Sequence, residues 1–273
     1  MEKISRIIYV HGFGGYKPAA PFSSQLSDFI KRKQLRFDVD AFQWNARPIV
    51  LQTVIHDFLE SQAAAKEAGR LLLEEIAQLE TRQTNYYLIG FSLGASVIRY
   101  ALEQQDKSLK HIRGIYFLGA AFDHDVILNQ EVIPSDIRCY NYFSRNNDVT
   151  IKSYRNASGE YAAGAAGLTR ARRFENYSTH CSHSMINSYA VLAEPISYLI
   201  AWDDQQYLAG SPNLNLAIQT MEGKVHWNEI CKHNAHLIQQ NSYTKHLRAI
   251  NTEGKRIAWG KNLHTIFHAI SPI

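Results

Sequence analysis

The chain has 273 residues, 45% hydrophobic and 20% charged, a composition typical of a globular protein long enough to bury a large core. Its formal net charge of +4 comes from both signs interspersed along the chain, which gives no reason to expect nucleic-acid binding. Cys139, Cys181 and Cys231 show no C-x-x-C spacing, so they indicate neither a disulfide framework nor a thiolate zinc site and favour a reducing compartment.

The N-terminal segment MEKISRIIYVHG contains an apolar run that is too short for a signal peptide. No later segment approaches the roughly 18 apolar residues that a membrane-spanning helix needs. We therefore expect a soluble, cytoplasmic protein without a transmembrane segment.

Apolar runs alternate with amphipathic stretches along most of the chain, which predicts a mostly parallel central sheet with helices on both faces. Strands are predicted at RIIYVHG, FDVDAFQW, NYYLIGF, IRGIYFLGA and RCYNYFS. Helices are predicted near FSSQLSDFIKRK, from Val50 to Glu80, and at GASVIRYALEQQ. Strand periodicity is lost from Asp148 to His183, where NASGEYAAGAAGL predicts a loop or flap.

The last part of the chain divides into three predicted segments. A final helix is expected at SMINSYAVLAEPISYLIAW, and Pro195 should kink or interrupt it. The character of the sequence changes after GSPNLN, so we expect a main domain over 1–205 and a linker over 206–221. Residues 222–273 are expected to form a small α+β module, a short helix followed by two or three strands.

The pentapeptide Gly90-Phe91-Ser92-Leu93-Gly94 matches G-x-S-x-G, between a predicted strand and a predicted helix. In this motif the serine lies on a sharp turn that exposes its hydroxyl as a nucleophile. The glycines are required because the turn brings a strand and a helix too close together for larger side chains. Ser92 is therefore the candidate nucleophile, with Gly90 and Gly94 as its structural support.

The segment HGFGG, which begins with His11 and Gly12, follows the first predicted strand. It is similar to loops whose backbone N–H groups stabilise an oxyanion, which makes the N–H groups of Phe13 and Leu93 the candidate donors. A phosphate-binding loop is the alternative, but the segment lacks both the G-x-G-x-x-G spacing and the G-K-[ST] ending of nucleotide loops.

The acid and the base should follow the nucleophile in the order Ser, acid, His. Asp148 follows the strand RCYNYFS and is the preferred acid, whereas Asp123, after the preceding strand, is the alternative. Both His180 and His183 lie downstream of Asp148 and are candidate bases. His183 is preferred because it stands immediately before the last long helix of the main domain, and His180 is the alternative.

The H-x-x-H spacing of the two histidines also raises the question of a metal site. Asp123, His124 or Asp125 could contribute to it, but a full set of ligands is not evident. The sequence therefore predicts neither a metal nor another cofactor.

A resemblance to a known family supports these assignments. From DAFQWNA through YYLIGFSLGASVIRYAL, GIYFLGAAF and YNYFSRNNDVTI to CSHSMINSY, the chain resembles the uncharacterised α/β-hydrolase family that includes the transmembrane and coiled-coil domain family 4 proteins. More broadly it is similar to the lipase and esterase branch of the α/β-hydrolase superfamily. The resemblance implies an α/β-hydrolase fold, and it puts Ser92, Asp148 and His183 at the nucleophile, acid and base positions. The short gap between FLGAAF and RCYNYF separately predicts a minimal cap.

The first functional hypothesis is a serine hydrolase that cleaves a small-molecule or lipid ester, with phospholipids and thioesters included. The basic run TRARR, residues 169–173, could attract an anionic substrate, although a solvated basic loop is the commoner explanation. The alternative hypothesis is a noncatalytic protein of this fold that binds a lipid or a protein partner. The partner of the C-terminal module is not identifiable from the sequence.

Overall fold

The computed structural model describes residues 4–13, 16–46, 54–145, 148–152, 154–179, 181–183, 189–204, 218–221, 225–233, 236–241, 247–253 and 256–260. Six strands form a first sheet, in which every pair is parallel and the spatial order is β2-β1-β3-β4-β5-β6. They are β1 (Ser5–Val10), β2 (Phe37–Phe42), β3 (Tyr86–Phe91), β4 (Ile112–Leu118), β5 (Arg138–Phe143) and β6 (Phe174–Ser178).

Helices follow most of these strands, as expected when parallel strands are joined by crossover connections. The three longer ones between strands are α1 (Tyr16–Arg32), α2 (Val54–Thr81) and α3 (Leu93–Gln104). Three short helices, α4 (Val149–Lys152), α5 (Tyr154–Ser158) and α6 (Ala163–Ala166), separate β5 from β6. A 3₁₀ helix, Tyr189–Leu192, runs directly into α7 (Ala193–Asp203).

Alternate residues of β1 show that the sheet is covered on both faces. Ile8 and Val10 belong to a buried cluster that also contains Leu72 of α2 and Ile98 of α3. Tyr9 points to the other face, where its ring stacks on Phe22 of α1 at a centroid distance of 5.1 Å. The predicted parallel sheet with helices on both faces is therefore confirmed.

The strand order places two loops next to each other at one end of the sheet. The chain leaves β1 towards β2 on one side and returns to β3 on the other, so β1 and β3 flank the point where the order reverses. Ligands of open α/β sheets bind at the carboxyl ends of the strands at such a point. The loop after β1 carries His11, Gly12 and Phe13, and the turn after β3 carries Ser92.

One local expectation was wrong. The segment predicted as a loop or flap contains β6, the edge strand of the sheet, whose burial is almost confined to Phe174. Because most of its side chains are exposed, β6 lacks the alternation that identifies a half-buried strand.

The predicted last helix is divided near Pro195, as expected. Its described part is a 3₁₀ helix, Tyr189–Leu192, followed by α7, and Pro195 lies in the first turn of α7, where a missing N–H is tolerated.

The C-terminal part of the chain forms a second sheet of five antiparallel strands in the order β11-β10-β9-β8-β7. They are β7 (Ile218–Met221), β8 (Val225–His233), β9 (His236–Asn241), β10 (Leu247–Ile250) and β11 (Arg256–Gly260). The short helix expected at the start of the module is wrong, because that segment is β8. Val225, Trp227 and Cys231 supply the β-branched and apolar residues of a strand, and β8 forms a hairpin with β9.

Contacts divide the chain into two compact units, residues 1–28 with 36–193 and residues 29–35 with 194–273. Strand β7 overlaps the predicted linker, and the predicted boundaries at 205 and 222 remain predictions. Among the residues described, no helix combines the length and the apolar character that crossing a bilayer requires.

Candidate active site

Ser92 occupies a strained turn between β3 and α3. Its backbone has φ 54° and ψ −121°, a conformation that non-glycine residues adopt only where the surrounding structure enforces it. Its N–H donates to the Leu118 carbonyl at 2.9 Å, and its carbonyl accepts from the N–H groups of Ala95 and Ala121, both at 3.1 Å. Ser92 is thus fixed between the ends of β3 and β4 in the geometry of a nucleophile elbow.

The glycines on either side of Ser92 are required by close packing. A Cβ atom on Gly90 would lie 2.7 Å from Ala95 Cα, and one on Gly94 would lie 2.0 Å from the Val10 carbonyl oxygen. Both distances are shorter than nonbonded carbon contacts allow. The G-x-S-x-G spacing therefore follows from the approach of α3 to β1 and β3.

His183 and Asp148 are joined by a short hydrogen bond. His183 Nδ1 donates to Asp148 Oδ2 at 2.6 Å, because a carboxylate can only accept. Asp148 is fully buried, and its second oxygen accepts from the Ile151 N–H at 3.1 Å in the first turn of α4. The carboxylate therefore holds the imidazole in the tautomer whose Nε2 can accept a proton.

The imidazole of His183 lies beside the elbow. Its ring packs on Phe91, the residue before Ser92, with a centroid distance of 4.7 Å and an interplanar angle of 30°. A Cβ atom on Gly119, at the end of β4, would lie 2.8 Å from His183 Cε1. His183 Nε2 is buried and forms no hydrogen bond with any residue described, Ser92 included.

The sequence left Asp123 as the alternative acid and His180 as the alternative base. Asp123 accepts a hydrogen bond from the Tyr154 hydroxyl at 3.0 Å and forms an isolated β-bridge with Ala162. In the described structure it is Asp148, and not Asp123, that is bonded to His183. His180 lies outside the described residues. The catalytic roles of Ser92, Asp148 and His183 remain predictions, whereas their grouping at one end of the sheet is observed.

The loop after β1 is packed directly against Ser92. A Cβ atom on Gly12 would lie 2.6 Å from Ser92 Cβ and 3.3 Å from its Oγ. Leu93 is the first residue of α3, so its N–H has no acceptor within the helix. Phe13 is held by an edge-on contact with Phe58 at 5.8 Å. Both candidate oxyanion donors therefore belong to segments that adjoin the serine.

Trp44, two residues beyond β2, is a contributor that the sequence did not indicate. Its Nε1–H donates to the His11 carbonyl at 2.8 Å, and its ring stacks on the His11 imidazole with centroids 5.6 Å apart. His11 itself is buried, and desolvation lowers its pKa, so it is neutral near pH 7. We infer that His11 and Trp44 support the loop and do not transfer protons.

Within the described parts of the chain, one group of metal-ligating side chains has its atoms close together: His56, Asp57 and Glu60 of α2. These side chains project from one stretch of a helix and form no enclosed site. Neither Asp123 nor His124 or Asp125 belongs to this group.

Comparison with known proteins gives a family without an assigned activity. A family model described as "Protein of unknown function (DUF726)" matches residues 19–200. No curated protein matches the chain significantly. The narrower resemblance to the transmembrane and coiled-coil domain family 4 proteins remains a prediction.

Several solved structures are similar to this chain at low identity. They include dienelactone hydrolase from Anabaena variabilis, at 11% identity over 75% of this chain and 87% of that one with a TM-score of 0.42. An esterase from Pyrococcus furiosus is 12% identical over 75% and 83%, with a TM-score of 0.40. An esterase domain from Rhodothermus marinus is 14% identical over 74% and 87%, with a TM-score of 0.37. What the chain itself shows is the predicted parallel sheet with helices on both faces.

Proposed function

The chain belongs to the family described as "Protein of unknown function (DUF726)", and we propose that it is a serine hydrolase that cleaves carboxylic esters. The observation that carries this proposal is the 2.6 Å bond between His183 and the buried Asp148, beside a serine held at φ 54°. A noncatalytic protein of this fold has no use for such a combination, because a strained serine and an oriented imidazole both cost stability.

Each residue has a defined role in the proposed reaction. His183 Nε2 takes the proton of Ser92 Oγ as that oxygen attacks the ester carbonyl carbon, and Asp148 stabilises the imidazolium that forms. The N–H groups of Phe13 and Leu93 donate to the oxyanion of the tetrahedral intermediate. The alcohol leaves with the proton from His183, and a water molecule activated by the same imidazole then releases the acid and regenerates Ser92.

The connection between β4 and β5 supports an accessible site and a modest ester. Residues 119–137 form turns and an isolated bridge, and they contain no helix. A large helical cap is therefore not built into this connection, which is consistent with a small-molecule or lipid ester as substrate.

Covalent labelling with a fluorophosphonate tests the proposal, since such probes react only with activated serines. We expect the native protein to label, Ser92→Ala and His183→Ala not to label, and Asp148→Asn to label up to about 10⁴-fold more slowly. Asp106→Asn is the matched control, because Asp106 is exposed on the loop after α3. Its labelling rate should equal that of the native protein.

Two results would contradict the proposal. Absence of labelling in a native protein with an intact thermal transition would favour the noncatalytic hypothesis. A greater loss in Asp123→Asn than in Asp148→Asn would assign the acid to Asp123.

A further inference from the structure

Tyr189 is the first residue of the 3₁₀ helix that precedes α7, and it is only 1% exposed. Its ring packs edge-on against the imidazole of His183, with centroids 5.8 Å apart and an interplanar angle of 78°. No step of the proposed reaction uses this residue, although it touches the candidate base.

The rings of Phe91, His183 and Tyr189 form a cluster in which each ring contacts the other two. The imidazole lies on Phe91 with centroids 4.7 Å apart, and Tyr189 packs on Phe91 with centroids 5.8 Å apart and planes at 55°. Phe91 is the last residue of β3 and directly precedes Ser92. Tyr189 therefore contacts both the base and the residue that leads into the nucleophile.

Gly119, directly after β4, closes a further side of this cluster. A Cβ atom there would lie 2.8 Å from His183 Cε1 and 2.9 Å from both Cε2 and Cζ of Tyr189. These distances are shorter than nonbonded carbon contacts allow, so the two rings leave no space for a side chain at this position. The backbone at the end of β4 thus limits the movement of both rings towards the strand.

A single hydrogen bond does not fix an imidazole. The 2.6 Å bond to Asp148 holds Nδ1 of His183, but the ring can still pivot about that atom and carry Nε2 away from the serine. Proton transfer needs the base within hydrogen-bond reach, so contacts with the ring itself must remove this freedom. Phe91 and Tyr189 supply such contacts at two different angles, 30° and 78°.

The phenol of Tyr189 is not suited to proton transfer. Burial, and then the charge of the Asp148 carboxylate, raise the pKa of Tyr189 well above its usual value of 10. The two groups are thus near each other, yet the hydroxyl does not reach hydrogen-bond geometry with Asp148 or with any other residue described. The hydroxyl stays protonated near pH 7, and the ring is the part of this residue that meets the base.

We propose that Tyr189 is a positioning residue for the ester hydrolysis proposed above: its ring, together with that of Phe91, keeps Nε2 of His183 within reach of Ser92 Oγ. The inference rests on the proposed function and adds a residue that acts through the base. It requires the aromatic ring at position 189 and does not require the hydroxyl.

Substitutions that keep or remove the ring separate positioning from packing. Tyr189→Phe should keep kcat for p-nitrophenyl acetate within about twofold of the native value, because the ring contacts remain. Tyr189→Leu and Tyr189→Met leave an apolar side chain without a ring. Either variant should lower kcat about 10- to 100-fold, since a misplacement of about 1 Å costs up to about 10²-fold. The KM should stay near the native value, because His183 acts in the transition state.

Tyr116→Leu is the matched control. Tyr116 is a fully buried tyrosine of β4 whose ring packs on Tyr140, so its loss should lower the melting temperature without changing kcat. Native kcat in Tyr189→Leu and Tyr189→Met would make Tyr189 an ordinary core residue, and the hydrolase would stand without it. A loss of kcat in Tyr189→Phe equal to that in Tyr189→Leu would transfer the role to the hydroxyl and refute positioning by the ring.

Proton NMR keeps this inference separate from the hydrolysis. The Nδ1 proton of His183, in its short bond to Asp148, should give a low-field resonance that is absent from His183→Asn. We expect this resonance in the native protein and in Tyr189→Phe, and its broadening or loss in Tyr189→Leu. If Ser92 does not label but the resonance follows this pattern, the hydrolase is wrong and the placement of His183 by Tyr189 stands. If Ser92 does not label and the resonance is equally sharp in Tyr189→Leu, or absent from the native protein, the positioning role is overturned as well.

Discussion

Replacing Trp44 by Phe should slow the proposed ester hydrolysis without unfolding the protein. The substitution removes the 2.8 Å hydrogen bond from Trp44 Nε1 to the His11 carbonyl, while the phenyl ring can still stack on the His11 imidazole. The loop that loses this bond carries Gly12 and Phe13, which adjoin Ser92. The expected change is therefore in the position of the Phe13 N–H.

The magnitude follows from a single hydrogen bond. Such a bond contributes a net free energy of about 1 kcal/mol, and a part-buried carbonyl left without a donor costs about 1 to 3 kcal/mol. If about 1 to 2 kcal/mol of this is lost in the transition state, kcat/KM falls roughly 5- to 30-fold. Deleting an oxyanion donor outright costs about 10²- to 10³-fold, so the displaced Phe13 N–H should cost less.

Steady-state kinetics with p-nitrophenyl acetate, combined with thermal unfolding, provide the assay. The loss should lie in kcat, because the oxyanion forms only in the transition state, and the KM should stay close to the native value. Trp227→Phe, in β8 of the second sheet, controls for the loss of a tryptophan and should not change kcat. A Trp44→Phe protein with native kcat and only a lower melting temperature would refute the positioning role.

Three further variants or measurements follow from the structure. Gly119→Ala should reduce the rate of Ser92 labelling by about a hundredfold, because the new Cβ would lie 2.8 Å from His183 Cε1 and would displace the base. Gly159→Ala is the control: Gly159 also has a positive φ, but no atom lies within 4 Å of the new Cβ, so this variant should label at the native rate. Burial raises the pKa of Cys139 to about 12, so iodoacetamide at pH 8 should modify it only after unfolding, and mass spectrometry of the native protein would contradict this by finding the adduct. Desolvation lowers the pKa of His11 below its usual value of 6.5, so as the pH falls the unfolded protein protonates this imidazole before the folded protein does. The free energy of unfolding, measured in urea, should therefore be greatest above pH 6.5 and decrease below it. In His11→Asn this decrease should be smaller.

The elbow was predictable because everything that defines it is local in sequence. Gly90, Ser92 and Gly94 lie within five residues, and the strand and helix beside them have clear periodicities. The pairing of His183 with Asp148 spans 35 residues and depends on loops that carry no periodicity. Chain order reduced the candidates to two acids and two bases, and only the folded structure shows which acid meets His183.

The role of Trp44 and the position of the basic run could not be predicted, because both depend on contacts between residues far apart in the sequence. Trp44 meets His11 across 33 residues, and nothing in its neighbourhood marks it as part of a site. The basic run at 169–173 was a candidate for attracting an anionic substrate. However, Arg173 directly precedes β6, at the end of the strand opposite the candidate active site, and donates to the Ile133 carbonyl.

The loop that follows β4 links the elbow and the base. Gly119 adjoins the His183 ring, and Ala121 donates to the Ser92 carbonyl and accepts from the Ser96 hydroxyl at 2.8 Å. One short loop therefore positions both Ser92 and His183. A substitution that moves this loop should displace the nucleophile and the base together, whereas a change in either residue alone leaves the other in place.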